Sequence, residues 1–241
     1  MTTEDDAGAE RTDSVTAEDD ADTEGAGSMT TEDERSPEAS RDRLAARRGL
    51  EPHVYQPAED SALLARAAIE SLAASVSSTP GSTLRVLEVG TGSGWVAQQV
   101  ATETDADVVA SDLNPHACRQ ARERGLEAVR ADLREPFATD GFEAVLCNPP
   151  YLPTAPDNEW DDWMEHALSG GPDGRRLIVP FLETVGRVLA PGGVAILLVS
   201  SLTGYDEVVD LAREAGFAVE EIAQESYPFE VLSILQLRRQ R

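Results

Sequence analysis

An α/β fold on a largely parallel, doubly wound sheet is predicted by three features of the sequence. Short apolar runs alternate with amphipathic stretches from about residue 55 onward. A glycine-rich turn, Glu88-Val89-Gly90-Thr91-Gly92-Ser93-Gly94, directly follows the first apolar run. The last two runs, Phe217–Ala223 and Val231–Leu237, are separated by a short link and read as an antiparallel pair. Strand–helix alternation requires parallel strands with helical crossovers on both faces, and those crossovers should be right-handed.

The elements follow in order. Ala58 to Val76 reads as a helix, because Leu64, Ala68, Leu72 and Val76 recur at helical spacing. Ser77-Ser78-Thr79-Pro80-Gly81 should end it. Leu84–Val89 is a short apolar run before glycines, which suits a buried parallel strand. A helix over Ser93–Thr102 leads to a second strand at Asp107–Ser111. Pro115–Arg124 is a helix with proline at its first position, and Leu126–Arg130 is the third strand. Phe142–Cys147 is the fourth. The next helix, Val179–Leu189, sets Phe181, Leu182, Val185, Val188 and Leu189 on one face. Pro191-Gly192-Gly193 is expected to turn the chain into a fifth strand, Val194–Ser200, and Tyr205–Ala215 is a helix before the final pair. The count is a seven-stranded sheet.

Composition narrows the function classes. The chain has 241 residues, enough for one large α/β domain with an appendage. It has no apolar run long enough to span a bilayer, and its acidic N-terminus is unlike a secretory signal, so a cytoplasmic location is expected. Cys118 and Cys147 are the only cysteines and form no CxxC pair, which argues against a disulfide framework or a zinc site, and no metal is expected. There are 45 acidic residues against 20 basic ones, all of the latter arginine. Residues 1–40 hold 14 acids and 2 arginines; residues 41–241 hold 31 and 18, so the surplus is not confined to one end. A carboxylate surface without lysine resembles proteins adapted to molar salt, and it offers no electrostatic footprint for nucleic acid. Residues 1–40 contain almost no large apolar side chain and read as a disordered acidic tail before a single domain over 41–241. Met1-Thr2-Thr3-Glu4-Asp5 recurs as Met29-Thr30-Thr31-Glu32-Asp33, so either Met29 is the natural first residue or the tail is genuine.

The chemistry concentrates at strand ends. Glycines at 90, 92 and 94 let the backbone turn tightly and approach a ligand. A dinucleotide fingerprint counted from Gly90 would need glycine at 95, where Trp95 stands. The E-x-G-x-G-x-G pattern is instead the S-adenosyl-L-methionine version. Asp112, at the end of the second strand, suits both hydroxyls of a ribose; the alternative is a helix cap before Pro115. Asp132-Leu133 follows the third strand, where an acid can accept from an adenine amino group and an apolar neighbour can cover the ring. Asn148-Pro149-Pro150-Tyr151 ends the fourth strand and is the most specific signal in the chain. An amide or adenine nitrogen is planar, and its lone pair is delocalised. The Asn148 side-chain oxygen and the Pro149 backbone carbonyl can both accept from that NH₂ group and aim its lone pair at a methyl donor. The prolines stiffen the arrangement, and Tyr151 offers a face to a planar group.

Together, Glu88–Gly94, Asp112, Asp132-Leu133 and Asn148–Tyr151 resemble the HemK-like protein glutamine methyltransferases. Val54-Tyr55-Gln56-Pro57-Ala58-Glu59-Asp60-Ser61 is similar to a V-Y-x-P-x-E-D-[ST] segment of their archaeal and eukaryotic release-factor branch, with Gln56 where that branch often has glutamate. The resemblance covers roughly residues 53–237 and lacks the N-terminal helical domain of the bacterial branch. It implies a class I Rossmann-like methyltransferase fold, with cofactor contacts at Tyr55, Ser61, Glu88, Gly90, Gly92, Gly94, Asp112, Asp132, Leu133 and Asn148. It implies catalysis by Asn148, Pro149 and Tyr151 on the glutamine amide of the GGQ motif in a peptide-chain release factor. It also implies a heterodimer with a small zinc-binding activator covering an apolar sheet edge, for which Leu126–Arg130 and the neighbouring strand Asp107–Ser111 are the candidates.

Other residues carry less. His53, His116 and His166 show no metal-ligand spacing and suit surface or capping roles, with His53 a candidate for the cofactor mouth. Cys147 reads as a strand-end residue. Trp160 and Trp163 read as packing residues, with substrate contact the alternative, and Gly170–Gly174 either shapes the substrate mouth or is a plain loop. An adenine methyltransferase acting on DNA or RNA is the alternative enzyme, but it would want a basic groove. A non-catalytic scaffold is opposed by the intact glycine loop and Asn148 box. The carboxylate surplus predicts a melting temperature that rises from dilute buffer to molar KCl as self-repulsion is screened; a flat profile removes the salt-adaptation reading.

Overall fold

The computed structural model describes residues 53–76, 83–133 and 136–240. The acidic tail over 1–40, Met29 and the helix-ending turn at 77–81 fall outside them. Among the described residues, seven strands form one sheet in the order β3-β2-β1-β4-β5-β7-β6. The strands are β1 (Arg85–Val89), β2 (Asp107–Asp112), β3 (Glu127–Arg130), β4 (Phe142–Cys147), β5 (Leu189–Ser200), β6 (Phe217–Ser226) and β7 (Val231–Arg239). The first five are mutually parallel, and β7 pairs antiparallel with both β5 and β6. The helices are α1 (Glu59–Val76), α2 (Trp95–Thr104), α3 (Pro115–Glu123), α4 (Trp163–Leu168), α5 (Ile178–Val188) and α6 (Tyr205–Glu214).

The sheet is covered on both faces because its strands are apolar on both. Val86, Val108, Ala110, Ala144, Leu146, Ile196 and Leu198 point into one buried cluster with Leu64, Ala68 and Leu72 of α1, Val96 and Val100 of α2 and Cys118 and Ala121 of α3. Their alternates Leu87, Val109, Val145, Cys147, Ala195 and Leu197 enter a second cluster with Phe181, Leu182 and Val185 of α5 and Val208 and Ala212 of α6. Strand periodicity of two thus divides one sheet between two helical layers.

Local chemistry sets the ends. Asn114 caps α3 by accepting from the His116 N–H (2.9 Å), and Pro115 follows where its missing N–H costs nothing. The cap alternative for Asp112 is thereby filled by a different residue. The expected turn at Pro191-Gly192-Gly193 lies inside β5. Pairing with β4 jumps from Phe142↔Leu189 to Ala144↔Val194, so the turn becomes an irregularity in a continuing strand. Helix α4 and a short 3₁₀ turn at Pro156–Asn158 occupy the long segment after β4, for which the sequence offered no periodicity.

Gly94 carries a packing role that the sequence did not show. It stands at the start of α2 with φ 79°. A Cβ there would lie 2.9 Å from Ala121 Cα and 3.0 Å from its Cβ, so this glycine lets α2 meet α3. Gly94→Ala should lower stability by about 1–3 kcal/mol, combining a left-handed backbone penalty with overpacking. Urea unfolding measures it; an unchanged midpoint would show that the two helices have room.

Candidate active site

The glycine loop and the Asn148 box lie side by side because β1 and β4 are neighbours. Val89 pairs with Cys147, so the next residues emerge together at the carboxyl edge of the sheet, where strand order reverses and ligand crevices form. A Cβ on Gly90 would lie 4.0 Å from the Asn148 carbonyl oxygen. The cleft that opens there is lined by Tyr55, Asp60, Ser61, Glu88, Gly90, Gly92, Asp112, Asp132, Leu133, Asn148, Pro149 and Tyr151. Of the residues expected at the cofactor and acceptor sites, Gly94 alone is missing from that lining.

The loop is held by its surroundings. Gly90 and Thr91 donate their N–H groups to Ser111 O of β2, both at 2.9 Å. Gly90 and Gly92 have φ of 72° and 53°, and a Cβ on Gly92 would touch Tyr55 O at 3.4 Å. Bare backbone therefore faces the cleft. Glu88 is buried beneath it, accepting from the Thr91 hydroxyl and from the Ala97 N–H at 3.1 Å. Burial pushes its carboxyl up to about 8, against the pull of those two donors. Asp112 accepts from Gly92 N–H (2.9 Å) and Asn114 N–H (2.8 Å), and burial raises it too. Asp132 is exposed at the far end and accepts from the Leu133 N–H at 2.8 Å; Leu133 beside it is half-buried.

Asp60 organises the acceptor end, a role the sequence did not single out. It is buried at the start of α1. Its Oδ2 accepts from Asn148 Nδ2 (3.0 Å) and from the Tyr55 hydroxyl (3.1 Å). Its Oδ1 accepts from the Ser61 N–H and hydroxyl. A carboxylate offers only acceptors, so it holds the nitrogen of the Asn148 amide and turns the oxygen the other way. Asn148 Oδ1 is buried and has no hydrogen-bond partner. Such an atom is an acceptor waiting for a donor. Tyr55 and Tyr151 are both held well above the usual phenol range, chiefly by desolvation and next by Asp60.

The segment after the box folds back over it. Leu152 N–H donates to Leu168 O (3.0 Å) and Gly170 N–H to Leu152 O (2.9 Å). Trp163, His166 and Arg176 thereby join the cleft wall, brought by long-range return rather than by any local motif. Arg176 is anchored on Glu159, which also accepts from Ser169 Oγ at 2.8 Å. A Cβ on Gly174 would lie 2.6 Å from Tyr151 O, so this segment packs directly against the Asn148 box. Trp160 is 68% exposed, not packed. His53 and His116 are brought together, rings 4.9 Å apart, and His53 O accepts from Asn114 Nδ2. Cys147 is buried with its thiol raised by desolvation and by Glu88. Among the described residues, no cluster of three or more His, Cys, Asp or Glu forms.

A family described as a methyltransferase domain matches residues 86–169. Fold and cleft together define a class I Rossmann-like methyltransferase, in a class that uses S-adenosylmethionine. A protein named as an N5-glutamine methyltransferase in Methanocaldococcus jannaschii is 35% identical over 196 residues, 79% of this chain and 94% of that protein. Methyltransferase HEMK2 of Homo sapiens is 28% identical, covering 80% of this chain and 92% of its own. The structure of E. cuniculi Mtq2 in complex with Trm112, responsible for methylation of the eRF1 translation termination factor, superposes with a TM-score of 0.60 at 26% identity, over 78% of this chain and 99% of that one. The chain belongs to the HemK-like protein glutamine methyltransferase family.

Asp60→Asn puts a donor where Asn148 Nδ2 needs an acceptor and should turn the Asn148 amide over. The turnover rate should fall about ten- to a hundredfold, with cofactor affinity changed far less. Tyr55→Phe, which removes one donor but leaves the carboxylate, should cost less. Parental turnover in Asp60→Asn, read beside cofactor calorimetry, would mean that Asp60 orients nothing.

Proposed function

We propose that this chain transfers a methyl group from S-adenosyl-L-methionine to the side-chain amide of the glutamine in the GGQ motif of the archaeal-type peptide-chain release factor, in the cytoplasm. The observation that carries this reading is the Asn148 amide, clamped by Asp60 with its buried oxygen unpartnered beside a glycine-lined cleft. Family membership and the names of the relatives support the same substrate class.

The residues present suit the cofactor. Backbone at Gly90 and Gly92 leaves room for close approach. Asp112 can accept from a ribose diol, Asp132 from an adenine amino group, and Leu133 can lie against the ring. Tyr55 and Ser61 border the same cleft. When bound, S-adenosylmethionine supplies an electrophilic methyl carried on a sulfonium. The protein's task is then to present a poor nucleophile. Asn148 Oδ1 and the Pro149 carbonyl accept the two N–H bonds of the acceptor amide, drawing its lone pair toward nitrogen. Tyr151 gives the amide plane a surface. The acceptor nitrogen gains the methyl and releases one proton.

A small zinc-binding activator is the proposed partner. Among the described residues β3 pairs with β2 alone, and an outer edge of this kind supports a docking place there, since an unpaired strand edge invites pairing. That edge presents Glu127 and Arg130 with half-buried Val129, more polar than the expected apolar edge.

Labelled cofactor, release factor and mass spectrometry test the whole. Label should map to the GGQ glutamine and vanish when that residue is replaced. Asn148→Ala should cut transfer about a hundredfold or more, on the order of 3 kcal/mol in the barrier, while keeping most cofactor affinity. Label that persists on the glutamine-free factor, or appears on DNA, overturns the acceptor. Recovery of a soluble, fully active monomer from cells that supply the activator overturns the partner.

A further inference from the structure

The β6–β7 hairpin ends in Tyr227-Pro228-Phe229-Glu230. Leu232 of β7 pairs antiparallel with Ser200, the last residue of β5, so this tip lies at the carboxyl edge of the parallel strands, the same edge as the cleft. Tyr227 and Tyr151 pack against one buried cluster, and the Glu230 carboxylate is near enough to raise the Tyr151 hydroxyl.

The tip is pinned from several sides. Tyr227 N–H donates to Glu230 O at 2.8 Å and closes the turn. Ser200 Oγ donates to Glu230 Oε2 at 2.7 Å, and Val231 N–H donates to Ser201 Oγ at 3.0 Å. The Tyr227 hydroxyl donates to Glu225 at 2.6 Å, and Arg66 of α1 reaches the same carboxylate at 2.5 Å. On this fixed support Phe229 is 94% exposed, and Leu202, next to Ser201, is 42% exposed. A chain with net charge −25 thus presents an aromatic ring to water on a rigid tip beside its acceptor cleft. Apolar surface held this way marks a contact site, and rigidity lowers the ordering cost of binding.

We propose that Phe229, with Leu202 near its base, docks the acceptor protein by entering an apolar depression flanked by basic side chains. Glu230 at the tip, in a chain of net charge −25, supplies the complementary charge. A partner seated here reaches into the cleft past Tyr151. A partner on β3 would sit at the opposite end of the strand order from β6 and would leave this tip free. The proposal rests on the protein acceptor proposed above.

Phe229→Ala and the milder Phe229→Leu are compared with the parent chain, together with its activator, on intact release factor. Phe229→Ala should raise the KM for release factor about tenfold or more, the scale of losing one buried aromatic anchor. The kcat at saturating acceptor, the cofactor affinity and the melting temperature should stay at parental values, and Phe229→Leu should restore part of the KM. A parent that labels release factor and a Phe229→Ala variant with parental KM overturns the docking proposal alone. A variant that loses kcat or cofactor affinity instead also overturns it, because the tip then serves the site and not the acceptor's surface. A parent that never labels release factor overturns the proposed function, and this inference with it.

Discussion

Parallel pairing of β1 with β4 is the constraint on which the cleft depends. Val89 stands opposite Cys147, so the glycine loop and the Asn148 box leave the sheet at one level, although 58 residues separate Gly90 from Asn148 in sequence. Slippage by one residue would turn Leu87 and Val145 toward the wrong helical layer and move Asn148 off the loop. Both strands are buried on both faces, which makes that slip costly. The burial that stabilises the sheet therefore also sets the distance between the ligand loop and the acceptor group.

Two carboxyls, Glu88 and Asp112, lock the loop in place from below and from the side. Removing them from water raises both, Glu88 to about 8. Backbone N–H groups of Ala97, Gly92 and Asn114 offset that desolvation. Glu88 ties the loop to the start of α2, and Asp112 ties it to the start of α3. The glycines are free to adopt positive φ because neighbours, rather than side chains of their own, define their path.

What was legible in the sequence is what is encoded locally. The E-x-G-x-G-x-G loop, Asn148–Tyr151 and the alternation of strands and helices each sit within a few residues; the sheet and its parallel order lie where those patterns put them, and the loop and the Asn148 box line one cleft. The misses share a different cause. The packing role of Gly94 lies in its close approach to Ala121, 27 residues on. Asp60 was visible inside a motif, yet its meaning lies in Asn148, 88 residues away. Trp163, His166 and Arg176 reach the cleft only through the fold-back of 152–170. The Pro191-Gly192-Gly193 turn became an irregularity because β4 continues to pair beyond it. In each case a tertiary partner overrides a local signal, and no single-sequence period records that partner.

The same geometry favours, for the proposed function, catalysis by alignment over proton abstraction. A general base would need an accessible group with a free acceptor and a pKa near neutrality. Glu88 has the right range, but it lies beneath the loop with Thr91 and Ala97 on its carboxyl. Asp60 is occupied by Tyr55, Ser61 and Asn148. Tyr55 and Tyr151 are raised, so both stay phenols and not phenolates. Cys147 is buried as a thiol. His166 and Asp132 also line the cleft, and Asn148 itself offers an amide oxygen with no proton to take and no charge to lend. For the proposed acceptor, whose lone pair is tied up in conjugation, such an oxygen would serve. In that proposal two fixed acceptors on its N–H bonds would shift density to nitrogen and set its direction, and the proton would leave once the new bond has made it acidic. In the proposed function, rigidity at Pro149 and Pro150 and the Asp60 clamp would supply that alignment, with the buried, unpartnered Asn148 oxygen as the accepting atom.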